Sequence, residues 1–137
     1  MPTHFNPPIL TLNAVRDFVH RVEMVWSMQG AMLFGSQARG TARQGSDTDV
    51  AVLLRGDTGD FVATKLALDD VAYDVLLESG IRIQPLPIWE HEWAFPQHYS
   101  NPRLLENIAR EGIRFDTSST YGKGEPRTSF CPNFASQ

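Results

Sequence analysis

A strand-turn-strand pattern in the N-terminal half constrains this chain more than any other feature of its sequence. The apolar run at residues 31–34 leads directly into Gly35 and Ser36, and a second run at residues 47–54 begins with Asp-Thr-Asp. Short apolar runs bounded by small and polar residues are typical of buried strands. Beyond Asp49 the second run is apolar on both faces, so we expect it near the centre of a sheet that is covered on both sides.

Asp47 and Asp49 lie two residues apart on this second strand. Because side chains alternate between the two faces of a strand, both carboxylates point the same way, with their Cα atoms about 7 Å apart. Mg²⁺ prefers a few carboxylate oxygens and fills its remaining positions with phosphate oxygens and water. The pair therefore predicts a site for one Mg²⁺ ion, or for two ions about 4 Å apart.

The turn at Gly35 and Ser36 predicts a phosphate-binding element beside this metal site. A glycine lets a phosphate approach the backbone, and the following amides and the Ser36 hydroxyl can donate hydrogen bonds to its oxygens. Ser36 could equally cap a short helix, which uses the same geometry. No Gly-Lys-Ser or Gly-Lys-Thr follows at the spacing of a Walker-type loop. Arg39 and Arg43 are candidates either to steer a triphosphate or to pair structurally with the aspartates.

The periodicity of the remaining sequence predicts helices around such a sheet. Apolar residues recur every three or four positions over residues 12–28, which indicates an amphipathic helix with Thr11 or Asn13 as its cap. A second, long helix is predicted over residues 60–80, from an aspartate N-cap to a terminating glycine.

The rest of the chain predicts one more strand and two helices before a closing segment. Residues 81–86 alternate between apolar and polar, and Pro85 and Pro87 favour a position at the sheet edge. The expected later elements are a short helix at 88–95 and a last helix at 101–110 that starts from an Asn-Pro cap, after which residues 113–115 close the domain.

Together these elements predict an α+β fold, with a small mixed central sheet flanked by helices. A chain of 137 residues is close to the commonest size of one domain. We expect a single domain over residues 1–116. Residues 117–137 are rich in Ser, Thr, Gly and Pro without periodicity, which predicts a flexible C-terminal tail.

Charge and cysteine content exclude several classes of function. A net charge of −4 and a pI near 5.5 argue against a nucleic acid template, because gripping a phosphate backbone requires many Lys and Arg side chains. Cys131 is the only cysteine, so an intramolecular disulfide is excluded and a reducing, cytoplasmic setting is expected. No stretch approaches the roughly 18 apolar residues that span a bilayer, so no membrane association is expected.

Gly35-Ser36, followed after ten residues by Asp47-x-Asp49, resembles the pattern of the DNA polymerase beta nucleotidyltransferase superfamily. Within that superfamily, GSQARG followed by SDTDV is similar to the minimal nucleotidyltransferase (MNT) proteins of prokaryotes. The resemblance implies that Gly35 and Ser36 hold the β and γ phosphates of ATP or another nucleoside triphosphate, with help from Arg39. It also implies that Asp47 and Asp49 ligate catalytic Mg²⁺ and that a nucleotidyl group is transferred to an acceptor.

Two departures from the family pattern concern the catalytic machinery. The family places a third carboxylate on the next core strand, but the polar positions of that predicted strand are Arg82 and Gln84. Glu90 or Glu92, in the segment that follows, is an alternative source of this acid. The first arginine often found after Gly-Ser is replaced by Gln37. Nucleotide and metal binding stay as expectations, whereas efficient activation of the acceptor is in question.

The resemblance also implies a partner. MNT proteins are often encoded beside a HEPN-domain protein, and such pairs resemble toxin-antitoxin systems in which the MNT protein neutralises the HEPN ribonuclease, in some cases by adding AMP to it. The alternative is a catalytically weak or inactive nucleotide-binding protein that blocks its partner by contact. Transfer to a small antibiotic is less favoured, since such enzymes usually carry an added helical domain.

An aromatic group is a candidate either for core packing or for a partner surface: Trp89, Trp93, Phe95 and Tyr99.

Overall fold

The computed structural model describes residues 8–42 and 46–117, which form four strands, five α-helices and one 3₁₀ turn. In chain order these elements are α1 Ile9–Glu23, β1 Met28–Phe34, α2 Ser36–Arg39, β2 Thr48–Leu54, α3 Phe61–Ser79, β3 Ile83–Trp89, α4 Glu90–Ala94, the 3₁₀ turn Pro96–His98, α5 Pro102–Glu111 and β4 Ile113–Phe115.

The four strands form one mixed sheet in the order β3-β2-β1-β4. β1 runs antiparallel to both β2 and β4, whereas β2 and β3 are parallel. The predicted α+β fold with a mixed sheet is therefore confirmed. β3 lies at an edge, as its prolines predicted, but Pro85 and Pro87 lie inside the strand, which continues to Trp89. An edge strand tolerates proline because one side of its backbone needs no ladder partner.

The hydrophobic core lies on both faces of the sheet, and β2 contributes to both sides. Val50, Val52 and Leu54 pack into the cluster beneath α1 and α3. Ala51 and Leu53 alternate with them and pack into a second cluster with residues of α4 and α5. This alternation confirms that β2 is central and covered on both sides, which fixes the direction in which its first residues point.

The first helix differs from its prediction at both ends. It begins at Ile9, with Pro8 at the N-cap position and no side-chain cap, so neither Thr11 nor Asn13 caps it. It ends at Glu23, because the chain must turn before Met28, which pairs with Leu54 in the sheet. Strand pairing thus overrides the helical periodicity of the last residues.

Other boundaries follow the local signals in the sequence. The Asp60 side chain accepts a hydrogen bond from the Ala63 amide at the start of α3, and Gly80 ends that helix in the left-handed conformation. Asn101 caps α5 in the same way as Asp60 caps α3. Over the described ranges, none of the helices is both long and apolar enough to cross a membrane. The predicted tail, apart from Thr117, lies outside the residues that the structure describes.

Candidate functional site

Gly35 forms the bend between β1 and α2. Its backbone has φ 76° and ψ −154°, a conformation essentially confined to glycine. The single helical turn that follows is closed by hydrogen bonds from the Arg39 amide to the Gly35 carbonyl and from the Thr41 amide to the Ser36 carbonyl. The first amides of a helix lack acceptors within that helix. Those after Gly35 therefore form a group of donors at the bend, beside the half-buried Ser36.

Strand pairing brings Asp49 to this bend. In the antiparallel ladder Asp49 lies opposite Phe34, the residue immediately before Gly35. A Cβ atom built on Gly35 would lie 2.6 Å from Oδ2 of Asp49, so only the absent side chain leaves room for the carboxylate. Burial raises the pKa of Asp49, the negative charge of Asp47 raises it further, and the positive charge of Arg39 opposes both effects.

Asp47 lies just before β2 and faces the neighbouring strand β3. Its Oδ1 is 3.5 Å from Nε of Arg82, and its Oδ2 accepts a hydrogen bond of 3.3 Å from Nε2 of Gln84. Gln84 is also the register partner of Asp49 in the parallel ladder. The position beside the two acids that a third carboxylate would take is therefore held by an amide and a guanidinium.

The two carboxylates fit a hard divalent cation. Their charges are close enough for Asp47 to raise the pKa of Asp49, and a cation between two like charges would relieve that repulsion. Carboxylate oxygens alone, without imidazole or thiolate, are the donor chemistry that Mg²⁺ prefers. Within residues 8–42 and 46–117, no group of three or more His, Cys, Asp or Glu side chains is arranged to hold a metal. The remaining ligands would come from a phosphate and water.

Arg39 lies at the end of α2 on the same side of the site. Its Nη1 is 3.5 Å from Oε1 of Glu111 on α5, and about half of its side chain is exposed. The guanidinium is near enough to Asp49 to lower the pKa of that carboxyl. Arg39 thus contributes positive charge near Asp49, and its pairing with Glu111 leaves the side chain half exposed. Arg43 lies outside the described residues.

Glu90 and Glu92 do not complete the acidic pair. Glu90 accepts hydrogen bonds from the Gly56 amide and the Gln29 side chain, beyond the C-terminal end of β2. Asp49 is at the other end of that strand, five residues and about 16 Å from Leu54. Glu92 accepts from the Trp89 amide and so caps α4. The expectation that either residue could supply the third carboxylate is wrong, because parallel pairing carries the end of β3 away from the site.

The predicted aromatic group divides between core and surface. Trp89 and Trp93 are buried, and Tyr99 packs against the second cluster. Phe95 is 45% exposed and stacks on His98, whose Nδ1 is 3.4 Å from Nε2 of His91. Sequence spacing did not indicate this histidine pair, because its members are seven residues apart, on α4 and at the end of the 3₁₀ turn. The contacts of Arg82 and Gln84 with Asp47 were not predicted either, because they depend on the parallel register of β2 and β3.

Known proteins resemble this chain in family and in fold. A family model described as nucleotidyltransferase domain matches residues 15–114. No curated protein matches the chain significantly. A solved toxin-antitoxin structure with AMP-PNP is similar with a TM-score of 0.56 and 20% identity, covering 90% of this chain and 83% of the other. At this level of identity the likeness concerns the fold.

Two further solved structures share the fold. A mutant of the toxin-antitoxin MntA-HpeT is similar with a TM-score of 0.54 and 19% identity, over 90% of this chain and 83% of that one. A candidate nucleotidyltransferase from Sulfolobus solfataricus has a TM-score of 0.51 and 17% identity, over 77% and 79% of the respective chains. The fold of such proteins is thus shared along most of both chains in each pair.

Proposed function

Because this chain belongs to the nucleotidyltransferase domain family, we propose that it is a metal-dependent enzyme that moves a nucleoside monophosphate from a nucleoside triphosphate to an acceptor. The observation that carries the proposal is the contact between Asp49 and the Gly35 bend, with Asp47 beside it. A cation held by the two aspartates would lie next to a group of backbone donors suited to phosphate. ATP is the proposed nucleotide, a choice supported by the toxin-antitoxin of similar fold that was solved with AMP-PNP.

Each residue of the site has a proposed task. Gly35 leaves the space in which a phosphate approaches the backbone, Ser36 donates its hydroxyl to the β and γ phosphates, and Arg39 adds positive charge at their edge. Asp47 and Asp49 hold one or two Mg²⁺ ions. When bound, Mg²⁺ neutralises charge on the phosphate oxygens and on the departing pyrophosphate.

In the proposed reaction, an acceptor oxygen attacks the α-phosphorus in line and forms a new P–O bond as the bond to pyrophosphate breaks. The acceptor proton must leave during this step. Arg82, just before β3, and Gln84, on β3, both contact Asp47, and neither side chain supplies a carboxylate to take this proton. We propose that the proton passes to solvent or to a group on the acceptor, and we expect slower transfer than in an enzyme with a third carboxylate at this position.

We propose a partner protein of the HEPN class as the acceptor, in a toxin-antitoxin pair. Two solved proteins of the same fold are toxin-antitoxins, and this supports the choice at the level of fold. The acidic net charge of the chain fits a protein acceptor better than a nucleic acid template.

A second candidate function is inhibition of the partner by contact, with a nucleotide pocket but without transfer. The observation that favours it is the amide of Gln84 at the position where a general base would be expected. The two functions differ in whether the partner becomes covalently modified.

The experiment incubates the purified chain with α-³²P-labelled ATP, Mg²⁺ and the protein encoded by the adjacent gene. Label transferred to that protein supports the enzyme, provided that EDTA and the Asp47→Asn variant each reduce it by about 100-fold or more, since the charge on the phosphates would no longer be neutralised. A tight complex without label supports the inhibitor. Transfer that Asp47→Asn leaves unchanged would contradict the proposed site.

A further inference from the structure

The outer side of α3 exposes four large apolar side chains. Val62, Leu66, Tyr73 and Leu77 each expose between 58% and 67% of their area, although the opposite side of the same helix is buried through Leu68, Ala72 and Val75. At 100° per residue the four exposed side chains lie within about 60° of one another and about 140° from the buried side. They form an apolar strip along the helix, here called the α3 stripe, which Asp69 and Asp70 narrow between Leu66 and Tyr73. A strip of this kind on a helix surface is a feature of interaction sites.

Acidic residues flank the α3 stripe on both sides. Asp69 borders one edge, and Asp70 and Asp74 border the other. Lys65, the only basic residue of α3, is held by Asp69 at 2.7 Å. Asp69 is thus paired, and the net negative charge lies along the edge of Asp70 and Asp74. A matching surface would carry apolar residues with Lys or Arg side chains along one edge.

The α3 stripe adjoins two residues that contact Asp47. A cavity of about 180 Å³ lies between α3 and β3, and Tyr73 and Leu76 line it on one side while Arg82 and Gln84 line it on the other. Tyr73 thus belongs to both the stripe and the cavity. Arg82 and Gln84 in turn contact Asp47, so a molecule that covers the stripe and fills the cavity would lie against the two side chains that contact this aspartate.

We propose that the α3 stripe is the docking surface for the protein acceptor, and that it receives a helix whose apolar side carries Lys and Arg along one edge. This inference rests on the proposed nucleotidyl transfer and assigns the acceptor a class and a place. From Val62 to Leu77 the stripe is about 22 Å long, which matches about four turns of a helix. A second copy of this chain fits less well, because the acidic edges of two stripes would repel each other.

The test uses the protein encoded by the adjacent gene as the probe. In the variant Leu66→Glu with Leu77→Glu, two exposed side chains become acidic, so we expect the fold to be retained while the stripe loses apolar surface. The control is Met24→Glu with Val25→Glu, because these residues are 73% and 72% exposed just after α1 and outside the stripe. Affinity is measured by titration calorimetry, nucleotide binding by the thermal shift with Mg²⁺-ATP, and transfer with labelled ATP.

We expect the stripe variant to bind the probe at least tenfold more weakly and to label it correspondingly less, with the Mg²⁺-ATP thermal shift unchanged. The control should bind and label as the unmodified chain does. A stripe variant that binds the probe with unchanged affinity overturns the proposal, and so does an unmodified chain that forms no complex with it. Sedimentation that shows a dimer dissolved by the stripe substitutions also overturns it, because the stripe would then belong to a second copy.

Failure of the proposed catalysis has a different signature. Asp49→Asn should abolish labelling while the affinity for the probe stays within about twofold, because Asp49 lies at the Gly35 bend and not on α3. If the unmodified chain binds the probe through the stripe but transfers no label, docking stands and nucleotidyl transfer is wrong.

Discussion

Oδ2 of Asp49 lies where a side chain on Gly35 would begin, 2.6 Å from the position of its Cβ atom. The two residues are 14 apart in sequence and meet because Asp49 pairs with Phe34 across the antiparallel ladder. One missing methyl group therefore makes room for the carboxylate, and the same bend supplies the backbone donors. This relationship joins the proposed metal and phosphate sites into one structure.

Gly35→Ala should damage both stability and binding. The backbone at Gly35 is one that other residues adopt at a cost of about 1–3 kcal/mol, and the new methyl group would displace the Asp49 carboxylate. We expect unfolding at lower temperature and loss of the thermal shift that Mg²⁺-ATP produces. The control is Gly80→Ala, since Gly80 also has positive φ but its Cβ would meet no atom within 4 Å. It should cost about 1 kcal/mol and keep the shift, and equal loss of binding in both variants would refute the explanation.

Asp49 should make the stability of the metal-free protein fall with rising pH. Its pKa is raised in the folded chain, first by burial and then by the charge of Asp47. The folded state thus holds the proton of the Asp49 carboxyl more tightly than the unfolded state does. The stability that this proton adds is fully present below about pH 4 and is lost as pH rises through the raised pKa. Asp49→Asn should remove this part of the pH profile and raise the unfolding temperature at pH 7.

Differential scanning calorimetry in EDTA between pH 3 and pH 8 measures this effect as the difference between variant and unmodified chain. Asp70→Asn, at an exposed position on α3, controls for the loss of one negative charge. A difference curve for Asp49→Asn that stays flat across this range would mean that Asp49 ionises without penalty in the folded protein.

Gln84→Glu should raise the rate of nucleotidyl transfer. Gln84 contacts Asp47 and pairs in register with Asp49, so a glutamate there would add a third carboxylate beside the two acids. General bases contribute about 10²–10⁴-fold to such reactions, and we expect an increase of at least about tenfold together with tighter Mn²⁺ binding. Labelled transfer is compared with that of Gln84→Ala, which loses the amide without adding an acid. A Gln84→Glu variant that binds Mn²⁺ more tightly but transfers the nucleotidyl group no faster would contradict this prediction.

Arg82→Ala should tighten cation binding at little cost in stability. The Arg82–Asp47 pair is 3.5 Å long between side chains that are 59% and 45% exposed, and pairs of this kind contribute about 0–1 kcal/mol. Without Arg82, a metal no longer competes with a guanidinium for Asp47. Titration calorimetry with Mn²⁺ should show a Kd several-fold lower than that of the unmodified chain, whereas Arg103→Ala on α5 should leave it unchanged. A weaker Mn²⁺ affinity in Arg82→Ala would instead make Arg82 a support for the acid.

Local signals in the sequence predicted boundaries well wherever a side chain satisfies its own backbone. Asp60 and Asn101 cap the helices that they were expected to cap, because their side chains reach amides three residues ahead without help from the rest of the fold. The end of α1 was predicted wrongly. There the periodicity continues to Met28, but pairing between Met28 and Leu54 takes that residue into the sheet.

The sequence by itself determined the mixed architecture, the glycine bend and the pair of aspartates, because strand periodicity and turn chemistry depend only on neighbouring residues. The tertiary structure alone decided which side chains surround the aspartates. The register of β2 against β3 put Gln84 and Arg82 beside Asp47, and the direction of β3 carried Glu90 away from them. Contacts between strands depend on pairing between segments that are distant in sequence. A strand shifted by two residues against its neighbour keeps the same side chains on the same face, so the apolar pattern alone does not show which residues are paired.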